Sequence, residues 1–358
     1  MDLGKGCVSC LSGANLGATH PYGNMVGVAG RIFHLLAYLL VSGLTPVAVG
    51  LAPVLPRLFG GSGSKEFSPR APAVETELPW RMSVSPTRKL AYMQALEAQL
   101  NVIKSLGMKC VSIDERFVHH TSNVKPARIG NLCFESERFR KVRLTYFDAG
   151  ESVQVFNALW YPAYEFDMPL LGVDLISLGM SRVLSVVDFQ PLHPTAEYAA
   201  KHIAPLESIR KKYPDLHGKM SGKFYDDTSF FSSQMLFGRF TDENKVGNVV
   251  VPGHNEYLNS YVDSMSRAVP NSDPEAVQIV KTRQAAYDTY SAAKDPAVGL
   301  FDAYFGKTWS DDFVYQFLFD RASRSETAAS SHTFTVNPAT GDPVVSPKAA
   351  QPQQQQQR

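Results

Sequence analysis

Cysteine is scarce: Cys7, Cys10, Cys110 and Cys133 are the only four in 358 residues, too few and too scattered for a disulfide framework. Cys7 and Cys10 form a CxxC, but no second pair or histidine partner follows at zinc-finger spacing. That pair is read as incidental to its segment, neither a metal nor a redox site. The central region also lacks a cysteine set for an iron–sulfur cluster, an HExxH, a dinucleotide fingerprint and a phosphate loop. GGSGSK (60–65) has neither the GxxxxGK[ST] spacing nor a flanking strand. No excess charge of either sign is present. Lys and Arg number 35 against 34 Asp and Glu, a net +1, so no global field marks a nucleic-acid binder. Of nine histidines only His119, His120 and His193 fall in or near predicted strands, and no pair has metal-ligand spacing, so no metal site is expected.

What is present fits a globular protein with a sizeable core, at 44% hydrophobic and 19% charged residues. Residues 1–71 stand apart. They carry five basic residues (Lys5, Arg31, Arg57, Lys65, Arg70) against two acidic ones (Asp2, Glu66), and no formal charge from Ile32 to Pro56. That stretch is long enough to span a bilayer, but Pro46, Pro53, Pro56 and several glycines favour a cleaved leader over a permanent anchor. The following RLFGGSGSKEFSPRAPA has the composition of a plastid transit segment. The expectation is import across several membranes into a complex plastid, leaving a stromal mature protein free of the membrane. The tail, 326–358, is polar and ends in PQQQQQR, and it is expected to be disordered. The folded domain is therefore placed at 72–325.

Within that domain, Leu90, Met93, Leu96, Leu100, Ile103 and Leu106 recur at helical spacing over 87–107. Strands are predicted at 110–118, 128–136, 140–148, 152–161, 170–178 and 182–189, joined by short turns such as DAGES that favour an antiparallel meander. Helices are predicted at 194–212, 254–268, 272–293, 296–305 and 310–323. The fold class is α+β: a three-layer α/β/α sandwich with a central antiparallel sheet flanked by helices.

One carboxylate falls in an almost wholly apolar run, LLGVDLI: Asp174 follows Leu170, Leu171 and Val173 and precedes Leu175 and Ile176. Ionising a carboxyl there is costly, so it needs a partner or a raised pKa, as a proton donor near neutral pH does. A strand-end Asp bonded to backbone amides is the plainer alternative. The runs RKVRLTYFDAG, VFNALWYP, DMPLLGVDLISLG, VLSVVDFQPLHP (183–194), SFFSSQMLFGRF (229–240) and KDPAVGLFDAYFGKTWSDDFVYQFLFD (294–320) together resemble the ferredoxin-dependent bilin reductases, in that family's order and spacing over about 85–325. The resemblance is nearest to members that make phycoerythrobilin from 15,16-dihydrobiliverdin.

The resemblance implies a linear tetrapyrrole as substrate, no permanently bound cofactor, and electrons from the [2Fe–2S] cluster of a reduced ferredoxin. It implies a monomer that could receive its bilin directly from a preceding bilin reductase. Asp174 matches the family's central proton-donating aspartate. Asp295 matches a second functional acid, with Lys294 the alternative if the register slips by one; Asp295 before Pro296 is equally a good helix cap. Members that make phycocyanobilin carry a His–x–Glu pair and a second His where this chain has Arg143–Leu144–Thr145 and Asn157. The loss of those titratable groups implies a single two-electron reduction, of 15,16-dihydrobiliverdin to phycoerythrobilin. Reduction of biliverdin to 15,16-dihydrobiliverdin, both steps, or non-catalytic carriage of a bilin remain alternatives. Asn157 either hydrogen-bonds a lactam carbonyl or is a satisfied buried amide. Arg143, Lys219, Lys223 and Arg239 are candidates for the two propionates. Phe230, Phe231, Met235 and Phe237 alternate at strand spacing as apolar walls, with Ser232 supplying a hydroxyl. Arg138, Arg140, Lys141, Arg210, Lys211 and Lys212 could form a basic patch for an acidic ferredoxin.

Overall fold

Period-two alternation and tight turns make the centre of this chain a sheet. The computed structural model describes residues 82–179, 181–220, 229–324, 332–336 and 343–347, so the leader and the glutamine run lie outside the described residues. Eight strands follow in chain order: β1 (Lys109–Cys110), β2 (His119–Thr121), β3 (Arg128–Glu135), β4 (Phe139–Asp148), β5 (Val153–Pro162), β6 (Leu170–Leu178), β7 (Arg182–Gln190) and β8 (Leu236–Phe240). Their spatial order is β1-β3-β4-β5-β6-β7-β8, with β2 also on β3, and every ladder is antiparallel. Two hairpins show how the turns are made. Gly150 takes φ +60° between β4 and β5 and Gly179 takes φ +62° between β6 and β7, a region that side-chain-bearing residues avoid. Asp148 accepts from Gly150 N at 2.9 Å and from Ser83 Oγ and Val84 N at 2.8 Å, which ties the entering chain to the sheet.

Helices cover both faces. They are α1 (Met93–Ser105), α2 (Ala196–His202), α3 (Val251–Arg267), α4 (Pro274–Lys294), α5 (Ala297–Phe305) and α6 (Lys307–Asp312), the last running into a π-helical turn at Phe313–Leu318. Leu96 and Ile103 of α1 and Tyr257, Leu258 and Tyr261 of α3 pack with Phe156, Trp160, Leu171 and Phe189 of one face. On the other, Leu159, Tyr161 and Leu170 pack with Tyr287 of α4, Phe301 of α5 and Phe313. Asp273 caps α4 by accepting from Ala276 N, with Pro274 at the first helical position. The expected three-layer sandwich is the observed one.

Several boundaries differ from the sequence reading, each for a local reason. The strand expected over 110–118 ends after Cys110, because Asp114 accepts from Arg116 N and starts a helical turn at Glu115–Val118. The helix expected over 194–212 is divided by a 3₁₀ turn at Ala204–Leu206, where Pro205 removes a donor. Helix α1 begins at Met93, not at 87. SFFSSQMLFGRF is a strand only from Leu236; the first half is a turn, with Phe230 at φ +62°. Within 326–358, His332–Val336 and Pro343–Pro347 pair as an antiparallel hairpin, and the other residues of that stretch lie outside the described residues.

Candidate active site

Register builds the site. Asp174 on β6 lies opposite Asn157 on β5, and Asn157 lies opposite Thr145 on β4, so the three side chains share the face beneath α4 and α5. Asn157 Nδ2 donates to Asp174 Oδ1 at 2.7 Å, and Arg143 Nη1 donates to Asn157 Oδ1. Arg143 is only 2% exposed, and its Nε has no partner among the described residues. Its guanidinium carbon lies 5.4 Å from the ring centroid of Phe319. Thr145 turns from this group to Asn131 Oδ1 at 2.6 Å.

Asp295 comes from the junction of α4 and α5 and accepts from Ala297 N at 2.8 Å, so it does act as a cap. It also lines the same cavity as Asp174, while Lys294 is exposed. The two carboxyls raise each other's cost of ionisation. Burial, and then the charge of Asp295, push Asp174 up to about 7, against the Asn157 bond and Arg143. Burial also raises Asp295, opposed by the Ala297 amide and Arg143. A half-buried carboxyl that holds its proton near neutral pH, beside a second acid and a buried guanidinium, can give up that proton to a bound molecule.

Of the other predicted site residues, Phe231 lines the cavity. Ser232, Met235 and Arg239 do not. Ser232 turns to Asp188, Met235 spends its backbone carbonyl on Arg210, and Arg239 is exposed beside the Phe237 ring. Lys219 is exposed, and Lys223 lies outside the described residues. Two members of the supposed docking patch point inward. Lys141, 8% exposed, bonds Phe317 O and Asp320, and Arg140 donates to Gln284. Arg138 caps carbonyls at the end of α3. Lys211 and Lys212 stay at the surface, paired with Glu207 and Glu256.

The sequence reading missed Gln190, Tyr287 and Phe319 as cavity walls. Gln190 was reachable, since it sits two residues from Asp188 in VVDFQPLHP on the face that strand period assigns to Asp174. Tyr287 OH donates to its Oε1 at 2.6 Å, and a Cβ on Gly172 would meet that oxygen at 2.6 Å, so a side chain there would displace the Gln190 amide.

Comparison with known proteins gives four findings. The family model described as ferredoxin-dependent bilin reductase matches residues 95–320. The chain is 44% identical over 231 residues to the 15,16-dihydrobiliverdin:ferredoxin oxidoreductase of Nostoc punctiforme, covering 64% of this chain and 94% of that protein. The protein of the same name from Gloeobacter violaceus is 41% identical over 194 residues, covering 54% and 79%. Among solved structures, phytochromobilin synthase from tomato in complex with biliverdin superposes with a TM-score of 0.60 at 21% identity, over 65% of this chain and 84% of that one. That likeness shows a common fold.

Proposed function

The chain belongs to the ferredoxin-dependent bilin reductases, and on that premise we propose that it reduces biliverdin to 15,16-dihydrobiliverdin. Two similar proteins bear a name that couples that dihydro bilin with ferredoxin, and one of them is matched over 94% of its length. This puts the reduction one step earlier than the resemblance of the motifs alone implied. The observation that carries a catalytic reading, as opposed to a carrier, is the pair Asp174 and Asp295 facing one cavity, with Asp174 raised to about 7.

The step adds two electrons, one from each of two reduced ferredoxins, and two protons across the 15,16 double bond. In this proposal Asp174, protonated at rest, gives the first proton to the bilin once an electron has arrived. Arg143 steadies the carboxylate left behind, and Asn157 fixes its orientation through the 2.7 Å bond. Asp295 is the second donor. The cavity among these residues measures about 60 Å³, well below the roughly 300 Å³ at which small-molecule sites begin, so the walls part to admit a tetrapyrrole. No cofactor resident on this chain is required, because the [2Fe–2S] cluster stays on ferredoxin. The composition of residues 1–71 supports the plastid stroma as the place of action.

Anaerobic incubation with reduced ferredoxin and either bilin, followed by chromatography, tests the proposal. Biliverdin should be consumed and 15,16-dihydrobiliverdin should accumulate. Conversion of added 15,16-dihydrobiliverdin to phycoerythrobilin, with biliverdin untouched, would favour the later step; consumption of neither would leave a carrier.

A further inference from the structure

Asp188 is a buried carboxylate that the proposed chemistry does not use. It lies on β7 opposite Gly172, on the same face as Asp174, and its relative exposure is 0%. Among the described residues no ion pair compensates it. Ser232 Oγ donates to Oδ1 at 2.5 Å and Ser232 N donates to Oδ2 at 2.9 Å, and the neighbouring Phe189 amide also donates to the carboxylate. Burial pushes the carboxyl up to about 7, against the two Ser232 bonds and the Phe189 amide, which hold it down. The Ser232 hydroxyl also accepts from Gln234 N at 3.1 Å, and Gln234 O accepts from Tyr257 OH on α3. On the other side of the turn, Phe230 sits at φ +62°, a conformation that a bulky residue holds only when its surroundings enforce it. Its ring is wedged against Tyr287 and Tyr290 of α4, with centroids 5.4 and 5.5 Å away. Phe231 lies between these two anchors and lines the cavity with Asp174 and Asp295.

We propose that Asp188 is a positioning residue whose carboxylate, gripping both donors of Ser232, holds the turn that sets Phe231 as a wall of the bilin cavity. A buried, uncompensated carboxylate is an expensive way to make a structural contact, and an apolar residue would serve packing better. What the carboxylate adds is two short acceptors at fixed spacing, which fix the backbone of the turn as well as a side chain. The proposal rests on the reading that this cavity takes the bilin.

Asp188→Leu keeps the branching of the side chain, adds bulk and removes the grip. Asp188→Asn keeps both contacts as neutral ones, with Oδ1 accepting from Ser232 N and Nδ2 donating to Ser232 Oγ. Ser232→Ala loosens the turn from the other side and leaves β7 intact. The KM for biliverdin should rise about tenfold in Asp188→Leu and in Ser232→Ala with kcat within about threefold, and Asp188→Asn should restore most of the loss. A second measurement needs no bilin. In a Phe231→Trp background, adding Asp188→Leu or Ser232→Ala should increase acrylamide quenching of the new tryptophan, while the melting temperature stays at or above that of the parent. Unchanged quenching in both variants would overturn the proposal whatever the substrate proves to be. Increased quenching with an unchanged KM would confirm the grip and refute its part in binding. If Asp188→Leu does not fold, the Ser232→Ala pair of measurements decides alone.

Discussion

On the face of the sheet beneath α1 and α3, Trp160, Gln99 and His254 form a chain of buried, neutral, paired groups. Trp160 Nε1 donates to Gln99 Oε1 at 2.9 Å, Gln99 Nε2 meets His254 Nε2 at 3.0 Å, and His254 Nδ1 meets Asn255 Oδ1. Burial lowers His254 to about 4, so its ring is neutral at physiological pH. The buried cation of that face, Arg88, sits at the strand ends beside Gly179 and reaches Glu243. The face beneath α4 and α5 holds the buried Arg143 and three carboxyls, Asp174, Asp188 and Asp295, whose ionisation burial makes costly and neighbours only partly offset. The same strands, read at odd and even positions, make both. The first face answers Trp160, Gln99 and His254 with neutral partners, and the second accepts a cost that stability does not require.

The sharpest break in this comparison is Asp174→Asn. Turnover should fall by about 10²–10⁴ while the bilin still binds, since the amide keeps the shape and lacks the acid. Single-turnover rates with biliverdin measure it; a parent rate would make Asp174 a structural residue. The mirror experiment is Leu258→Ala on the neutral face. It should cost about 2–5 kcal/mol in urea unfolding and leave kcat and KM unchanged. A smaller loss, about 1–3 kcal/mol, is expected for Gln99→Leu, which strands the Trp160 N–H and the His254 acceptor together.

A further effect is in the pH dependence of stability. Asp174 binds its proton up to about pH 7 when folded and up to about 3.8 when unfolded. Between those values the native state holds more protons, so this group lowers stability as pH rises through the window. Asp174→Asn removes that slope. Its melting temperature should exceed the parent's most clearly above pH 7 and converge with it near pH 4. A difference that is constant with pH would mean that Asp174 is ionised throughout.

The two faces were not equally legible in the sequence. Strands β3 to β7 were readable because apolar alternation and the DAGES turn agree with the fold, and the long helix α4 because Asp273 and Pro274 announce it. Asp174 stood out through its apolar neighbours, Asp295 through the resemblance. Elsewhere a local bond outweighed the pattern. Asp114 started a helical turn where a strand was expected, and Asp188 held residues 229–235 in a turn where hydrophobic alternation read as strand. Tyr287 and Phe319 reach the cavity from helices far along the chain, so no local pattern could have placed them.

The ends of the sheet bear on how the protein behaves in company. An eight-stranded sheet with a long free edge invites another copy to extend it by backbone hydrogen bonding. Here the outer side of β3 is shared by β1 and β2, two and three residues long, and the opposite margin is β8, of five residues. None of these presents the run of unpaired amides and carbonyls on which self-templated aggregation grows. The sheet is therefore broad at its apolar centre and short at its margins, which limits the edge open to pairing with another copy.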